Sequence, residues 1–185
     1  MRQFEGFLTH QECSGIISVV DRAAAALGVK NYLTALPLII EEARLTDRLL
    51  SLRREISELV GLPVANQEPI LATVYPEGAG YPDHLDSFRV EEGSVHTREM
   101  YECNMSHGGH RAHTALVYLN EDFSGGETEF PSLGLSVKPK VGMLVVWSNV
   151  KDGEADASMV HAARCVSRGR KYVLVVYVRE KEYTA

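Results

Sequence analysis

The chain has 185 residues, of which 45% are hydrophobic, and its formal net charge is −6. That length fits one domain, and the composition is typical of a folded protein rather than a disordered or collagen-like chain. Nucleic acids and anionic membranes require a basic surface, so the negative charge argues against both as the main partner. We expect a small-molecule or peptide substrate, and the sequence leaves the oligomeric state open.

The apolar runs bear on where the protein resides. The runs at 32–40 and 142–147 fall short of the roughly 18 residues that a membrane span needs. The first residues lack the apolar stretch of a signal peptide. Three cysteines without CxxC spacing favour a reducing compartment over a disulfide framework. The sequence therefore predicts a cytoplasmic protein.

The first third of the chain has the pattern of helices. Thr9 is a candidate N-cap for a helix that carries apolar residues at spacings of three and four and ends at Gly28. A second helix is predicted from Leu45 to Val60, with Gly61 as its stop signal.

The rest of the chain has the pattern of short strands, which are rich in β-branched and aromatic residues and separated by Pro and Gly. The predicted strands lie at 69–75, 111–119, 135–139, 142–147 and 171–178. Helices followed by many short strands predict an α+β fold, with a double-stranded β-helix (jelly-roll) core and the N-terminal helices packed on its outside.

This pattern predicts a single domain over 1–185, with helical support at 1–62 and the jelly-roll core at 66–185. The stretch 87–110 has no steady period and is long for a loop, so we expect a mobile lid or substrate loop there. It is rich in histidine, which fits a polar loop better than a second metal site.

The chemistry centres on the pair His84 and Asp86, which are two residues apart. On an extended segment both side chains point to one face and can meet one metal. His161 would complete a set of two histidines and one carboxylate, which leaves open positions on Fe(II). Lys171 would pair with the far carboxylate of a dicarboxylate cosubstrate. Taken singly, each residue is equally well explained by a surface pair, a core histidine or a solvated lysine.

Several stretches, in this order, resemble the prolyl 4-hydroxylase-like branch of the 2-oxoglutarate/Fe(II) dioxygenases. They are QFEGFLTHQECSGII, YPEGAGYPDHLDSF around the histidine–aspartate pair, RAHTALVYLNEDFSGGETEFP, and VKPKVGMLVVWSN followed by HAARCVSRGRKYVLVVYVRE. The likeness covers almost the whole chain. It implies an enzyme that uses Fe(II), 2-oxoglutarate and O₂, and it leaves open whether ascorbate is needed.

The resemblance also implies roles for particular residues. The implied iron ligands and catalytic residues are His84, Asp86 and His161. The implied 2-oxoglutarate-binding residues are Lys171, Tyr75, Thr114 and Tyr118, although the two tyrosines also fit a role as core aromatics. Arg111 and Glu127 are candidates for contact with the substrate. A surface ion pair explains Arg111 equally well, and Glu127 also fits a supporting role beside the site.

The sequence departs from the family pattern where a substrate would bind. Ser87 stands where an aromatic residue often follows the metal motif, and Arg164-Cys165-Val166 lacks the usual proline. Asp86 is retained, which favours hydroxylation over halogenation.

We therefore expect hydroxylation of an unactivated C–H bond in a free amino acid or small peptide-like metabolite, with a proline-type ring as the first candidate. A protein or peptidyl-prolyl hydroxylase is the alternative within the enzyme class. A catalytically silent jelly roll that senses a small acid is the alternative from another class. A zinc hydrolase is disfavoured because no general base stands at a fixed spacing from the metal motif.

Overall fold

The computed structural model describes residues 1–26, 28, 34–37, 43–90 and 95–184, with the backbone alone at 34–37, 43–45 and 95–97. The α-helices in these ranges are α1 (His10–Ala26), α2 (Ala43–Val60) and α3 (Val95–Ser106). Each helix in the described ranges is too short or too polar for a membrane crossing.

Fourteen strands accompany these helices in the described ranges. They are β1 (Arg2–Phe4), β2 (Thr34–Pro37), β3 (Leu71–Tyr75), β4 (Tyr81–His84), β5 (Arg111–Tyr118), β6 (Ser124–Gly125), β7 (Thr128–Phe130), β8 (Leu135–Val137), β9 (Leu144–Ser148), β10 (Val150–Lys151), β11 (Glu154–Ala155), β12 (His161–Ala163), β13 (Val166–Arg168) and β14 (Lys171–Arg179). A six-stranded sheet has the order β1-β9-β5-β14-β3-β2, and a four-stranded sheet has the order β4-β12-β7-β8. The remaining strands form the pairs β10–β11 and β13–β6.

The helix ends follow the predicted signals. Thr9 forms a capping box with Glu12: the Glu12 amide donates to Thr9 Oγ1 (3.2 Å), and the Thr9 amide donates to Glu12 Oε2 (2.7 Å). At the end of α2, Gly61 has a left-handed backbone (φ 73°) and its amide donates to the Ser57 carbonyl. Both predicted helices are confirmed, except that Leu27 lies outside the described residues.

Alternation along β5 and β14 divides the apolar side chains between two cores. The helix core, between the six-stranded sheet and α1 and α2, includes Ala115, Val117, Leu174, Val176, Ile16, Val20, Leu52 and Ile56. The inter-sheet core, between the two sheets, includes Tyr118, Val173, Val175, Val145, Trp147, Phe130 and Val137. Since neighbouring strand residues face opposite sides, β5 and β14 serve both cores. The predicted α+β jelly roll with helices on its outside is confirmed.

The stretch 87–110 differs from the expected loop because it contains α3. Residues 91–94 of this stretch lie outside the described residues. Met100 on α3 is 55% exposed and none of the side chains at 98–106 is buried, so the helix does not display the buried apolar stripe that periodicity detects. Its residues are compatible with a helix, but no hydrophobic pattern indicates one.

Two leucines on α2 provide a matched test of the helix core. Leu52 is fully buried (0% exposed), whereas Leu50 is 47% exposed. Leu52→Ala is expected to lower the free energy of unfolding by about 2–5 kcal/mol, because it leaves a cavity. Leu50→Ala should change it by no more than about 0.5 kcal/mol. Urea denaturation of both variants measures the difference, and equal losses would contradict the packing of α2 described here.

Candidate active site

Strand register brings the two distant histidines together. His84 ends β4 and His161 begins β12, and the two residues are direct partners in the antiparallel pairing of these strands. Their ring centroids are 4.3 Å apart. Asp86 follows β4 by two residues, and one potential ligand atom from each of the three side chains lies within 4.8 Å of the others.

Backbone hydrogen bonds fix which nitrogen of each histidine faces the carboxylate. His84 Nδ1 lies 2.8 Å from the Pro82 carbonyl, and His161 Nδ1 lies 3.0 Å from the Met159 carbonyl. A carbonyl only accepts, so each Nδ1 carries the hydrogen. The Nε2 atoms then face Asp86, at 3.5 Å from Oδ1 for His84 and 3.5 Å from Oδ2 for His161.

This arrangement fits a divalent metal ion. In neutral histidines the two Nε2 atoms present lone pairs toward an anionic group, which is unfavourable unless a cation lies between them. Two imidazoles and one carboxylate are the donor set of non-haem Fe(II) oxygenases, and they leave coordination positions free. The Nδ1 contacts to backbone carbonyls are the support that metal-ligating histidines usually have.

The electrostatics of the three residues favour an ionised carboxylate. Burial would raise the pKa of Asp86, but the hydrogen bond with His84, the charge of His161 and the Thr114 hydroxyl outweigh it and lower this pKa. Burial lowers the pKa of His161. For His84 burial acts in the same direction, but the bond to Asp86 and its charge outweigh burial and raise the pKa. The cluster therefore holds a negative charge that a cation can neutralise.

Two further side chains support Asp86 from behind. Thr114 Oγ1 donates to Asp86 Oδ2 (2.6 Å), and Asn149 Nδ2 donates to Thr114 Oγ1 (2.8 Å). Thr114, a predicted 2-oxoglutarate-binding residue, is among the residues that line the pocket, and its hydroxyl contacts the Asp86 carboxylate. The sequence assigns Asn149 no role, although it ends the family-like stretch VKPKVGMLVVWSN, because its bond to Thr114 depends on strand register.

The pocket is built from adjacent positions on neighbouring strands. Thr114 pairs with Trp147 on β9 and with Tyr177 on β14, and Lys171 pairs with Tyr75 on β3. The pocket lining consists of Tyr75, His84, Asp86, Thr114, Leu116, Thr128, Trp147, His161, Ala163, Lys171, Val175 and Tyr177. The predicted metal and lysine residues therefore share one cavity.

Lys171 is buried at the first position of β14, with 1% of its surface exposed. Its Nζ donates to the Gly126 carbonyl (2.7 Å) and lies 5.0 Å from the centre of the Tyr75 ring. Among the described residues, no carboxylate forms an ion pair with this ammonium group. Burial lowers the pKa of Lys171 to about 8, although the charge of Glu127 acts in the opposite direction. The pocket thus contains a buried cation suited to a carboxylate ligand.

Gly126 gives this lysine its position. Its backbone is left-handed (φ 71°), and a Cβ atom there would lie 2.9 Å from Phe123 and 3.2 Å from Lys171 Cδ. A side chain would therefore displace the lysine or its neighbour. Tyr118, a predicted pocket residue, donates from its hydroxyl to Thr128 Oγ1 (2.6 Å), and Thr128 is the member of this pair that lines the pocket.

Neither of the two substrate candidates is among the residues that line this pocket. Arg111 donates to both carboxylate oxygens of Glu68 (2.7 and 2.8 Å), and its guanidinium lies 3.7 Å from the Tyr177 ring centre. Glu68 is 7% exposed, so this ion pair is largely buried rather than on the surface. Glu127 borders a separate cavity of about 240 Å³ that also contains Lys138.

A larger groove adjoins the metal cluster at His84. It has a volume of about 510 Å³ and is lined by Asp83, His84, Leu85, Ser87, Phe88, Arg89, Met100, Tyr101, Asn104 and Val160. The side chain of His84 is 28% exposed, compared with 7% for His161 and 3% for Asp86. The cluster therefore opens on the His84 side, toward a groove with α3 as one of its walls.

Comparison with known proteins agrees with this geometry. A family model of the 2OG-Fe(II) oxygenase superfamily matches residues 70–179. "Probable prolyl 4-hydroxylase 10" of Arabidopsis thaliana is 28% identical over 210 residues, which cover 97% of this chain and 68% of the relative. "Prolyl 4-hydroxylase subunit alpha-1" of Rattus norvegicus is 36% identical over 127 residues, which cover 68% of this chain but only 22% of the relative.

Solved structures share the fold. A viral collagen prolyl hydroxylase from Paramecium Bursaria Chlorella virus-1, described as its 2OG complex, has a TM-score of 0.71 at 22% identity and covers 96% of this chain and 94% of its own. A Trichoplax adhaerens prolyl hydroxylase has a TM-score of 0.64 at 16% identity, with coverage of 97% and 83%. This chain therefore belongs to the 2OG-Fe(II) oxygenase superfamily, in its prolyl 4-hydroxylase-like branch, and is a hydroxylating dioxygenase that uses Fe(II), 2-oxoglutarate and O₂.

Proposed function

We propose that this enzyme hydroxylates a proline ring carbon within a peptide or protein segment bound in the groove beside His84. His84, Asp86 and His161 hold the Fe(II), and Lys171 binds the distal carboxylate of 2-oxoglutarate. The observation that carries this proposal is the cluster of two Nε2 atoms around the Asp86 carboxylate, in the same pocket as the buried Lys171.

The protein contributes orientation and charge to the reaction. When bound, Fe(II) supplies the C–H oxidation: one atom of O₂ enters the product hydroxyl group, and the other enters the succinate formed when 2-oxoglutarate loses CO₂. The Pro82 and Met159 carbonyls hold the two imidazoles with Nε2 toward the metal. Asp86 is 5% exposed and Lys171 is 1% exposed, so both charged groups are largely out of contact with solvent.

Lys171 suits a dicarboxylate because its charge is desolvated. The ammonium group has the neutral Gly126 carbonyl as a hydrogen-bond partner, and an incoming carboxylate would supply the missing counter-ion. Thr128, which lines the same pocket and accepts from Tyr118, offers a hydroxyl close to this end. Tyr75 provides an apolar wall at 5.0 Å from Nζ.

The groove favours a peptide over a free amino acid, which was the first candidate from the sequence. Its volume of about 510 Å³ is in the range of about 300–1,000 Å³ that holds drug-sized ligands, so it has room for several residues. Relatives are named prolyl 4-hydroxylases, and the Trichoplax neighbour is described in complex with a peptide fragment. Membership of an enzyme superfamily also favours catalysis over the silent sensor.

Iron binding tests the ligand set directly. Asp86→Ala removes the one anionic donor, so we expect loss of tight Fe(II) binding and of turnover. Asp47→Ala, at an exposed position on α2, is the matched control and should bind Fe(II) as the parent does. Anaerobic titration with Fe(II) and 2-oxoglutarate, followed by the weak visible absorption band of the complex, measures both. Retention of the band in Asp86→Ala would rule out this ligand.

The pH dependence of 2-oxoglutarate binding tests Lys171. Only the protonated lysine pairs with a carboxylate, and its pKa in the free pocket is about 8. As the pH rises through that value the lysine loses its proton, so affinity should fall by about tenfold for each further pH unit. Lys171→Arg keeps its charge and should bind with little pH dependence in the same range. A parent enzyme whose affinity is flat across this range would contradict the role of Lys171.

Substrate screening separates the two enzyme hypotheses. The enzyme is incubated with Fe(II), 2-oxoglutarate and either free L-proline or proline-containing peptides, and products are examined by mass spectrometry for the gain of one oxygen atom. We expect hydroxylation of peptides at a rate at least about tenfold above that of free proline, because only a peptide fills the groove. A preference for free proline would favour the small-metabolite alternative.

A further inference from the structure

The Asp86 carboxylate is held by a hydrogen-bond chain whose direction is determined by its chemistry. A metal-binding carboxylate is ionised and can only accept, so the Thr114 hydroxyl must donate its hydrogen to Asp86 Oδ2. Thr114 Oγ1 then has only lone pairs left for a second partner. Asn149 must therefore present its Nδ2 rather than its Oδ1 to Thr114, as it does at 2.8 Å.

The observed orientation of the Asn149 side-chain amide leaves one of its two buried polar atoms without a hydrogen-bond partner in the part of the chain that the structure describes. Asn149 is 1% exposed, and its Oδ1 atom has no hydrogen-bond partner among the described residues. A rotated amide would place Oδ1 against the Thr114 oxygen, where it could bond only by taking the hydrogen that Asp86 receives. An unsatisfied buried acceptor is unfavourable, so the bond to Thr114 is the contact that selects this orientation.

The backbone places Asn149 firmly behind the metal cluster. It follows β9, its amide donates to the Ala112 carbonyl (2.8 Å), and its carbonyl accepts from the Asp156 amide (2.9 Å). The residue therefore links the start of β5, where Thr114 lies, to the turn formed by β10 and β11. Asn149 is not among the residues that line the pocket, and its side chain donates to Thr114 rather than to one of the three clustered residues.

We propose that Asn149 is a positioning residue for the Asp86 carboxylate and that it acts through the Thr114 hydroxyl. This inference rests on the proposed role of Asp86 as a metal ligand. A donor that polarises the Thr114 hydroxyl strengthens its bond to Oδ2. That bond fixes the rotation of the carboxylate, and the carboxylate then meets the metal in one orientation. The loss of such supporting contacts typically weakens metal binding by about 10–100-fold.

The test is the Fe(II) dissociation constant of the folded apoprotein, measured by anaerobic equilibrium dialysis. Asn149→Ala should weaken Fe(II) binding by about tenfold, and Thr114→Val should weaken it by about 10–100-fold. In the Thr114→Val background, Asn149→Ala should add nothing, because its target hydroxyl is gone. In the Thr114→Ser background, which keeps the hydroxyl, the effect of Asn149→Ala should persist.

Asn66→Ala is the matched control for the loss of a buried amide. Asn66 is 5% exposed, and its Nδ2 donates to the Arg179 carbonyl rather than toward the metal cluster. This variant should lose stability but keep the parent affinity for Fe(II). Circular dichroism verifies folding, and Asn149→Ser replaces Asn149→Ala in the series if the alanine variant does not fold.

The possible failures can be distinguished. If folded Asn149→Ala binds Fe(II) as tightly as the parent, or if its effect is undiminished in the Thr114→Val background, the positioning role is wrong while the proposed function stands. If the parent protein itself does not bind Fe(II), the proposed function fails and this inference fails with it.

Discussion

The site depends on one local arrangement, in which two imidazole nitrogens and a buried carboxylate point at the same small volume. Hydrogen bonds to the Pro82 and Met159 carbonyls commit both Nδ1 atoms, so each Nε2 lies 3.5 Å from an oxygen of Asp86. Without a metal ion, lone pairs would face a negative charge at low solvent exposure unless an imidazole takes up a proton, and Asp86 raises the pKa of His84 in that direction. The fold nevertheless maintains this geometry through strand register, since β4 and β12 pair at His84 and His161. A metal ion bound at this site would stabilise the folded chain relative to the metal-free chain.

The double role of β5 and β14 explains how a chain of this size holds such a site. Leu174 and Val176 on β14 face the helix core, whereas Lys171 and Tyr177 face the pocket. The two strands are therefore anchored by apolar packing against α1 and α2 on one face, and they can present polar groups on the other face. The anchoring face lies on the opposite side of these strands from the pocket. Apolar packing on that face therefore fixes the strands that position Lys171 and the hydrogen bonds from Asn149 and Thr114 to Asp86.

Residues whose position follows a local pattern could be predicted from the sequence, whereas contacts between distant parts of the chain could not. His84 and Asp86 at spacing two, and Lys171 at the start of an alternating strand, follow local periodicity, and all three line one pocket. The bond from Asn149 to Thr114 crosses between strands and depends on register, which a single sequence does not specify. The pairing of Arg111 with the buried Glu68 depends on a contact of the same long-range kind. α3 was missed because its exposed Met100 and scattered polar residues give no apolar stripe.

The Glu68 carboxylate connects the groove to the body of the sheet. It accepts from Arg111 on β5 and from Arg179 at the end of β14, and Arg179 also donates to the carbonyls of Asn104, on α3, and of Gly109. The wall of the groove formed by α3 is thus joined to the strands by charged hydrogen bonds in addition to side-chain packing. Such bonds are directional, so they define where the helix lies more narrowly than apolar contact alone would. β5 also carries Thr114, which supports the proposed metal ligand Asp86. The same strand therefore helps to position both the metal cluster and the wall of the groove against which a substrate would rest.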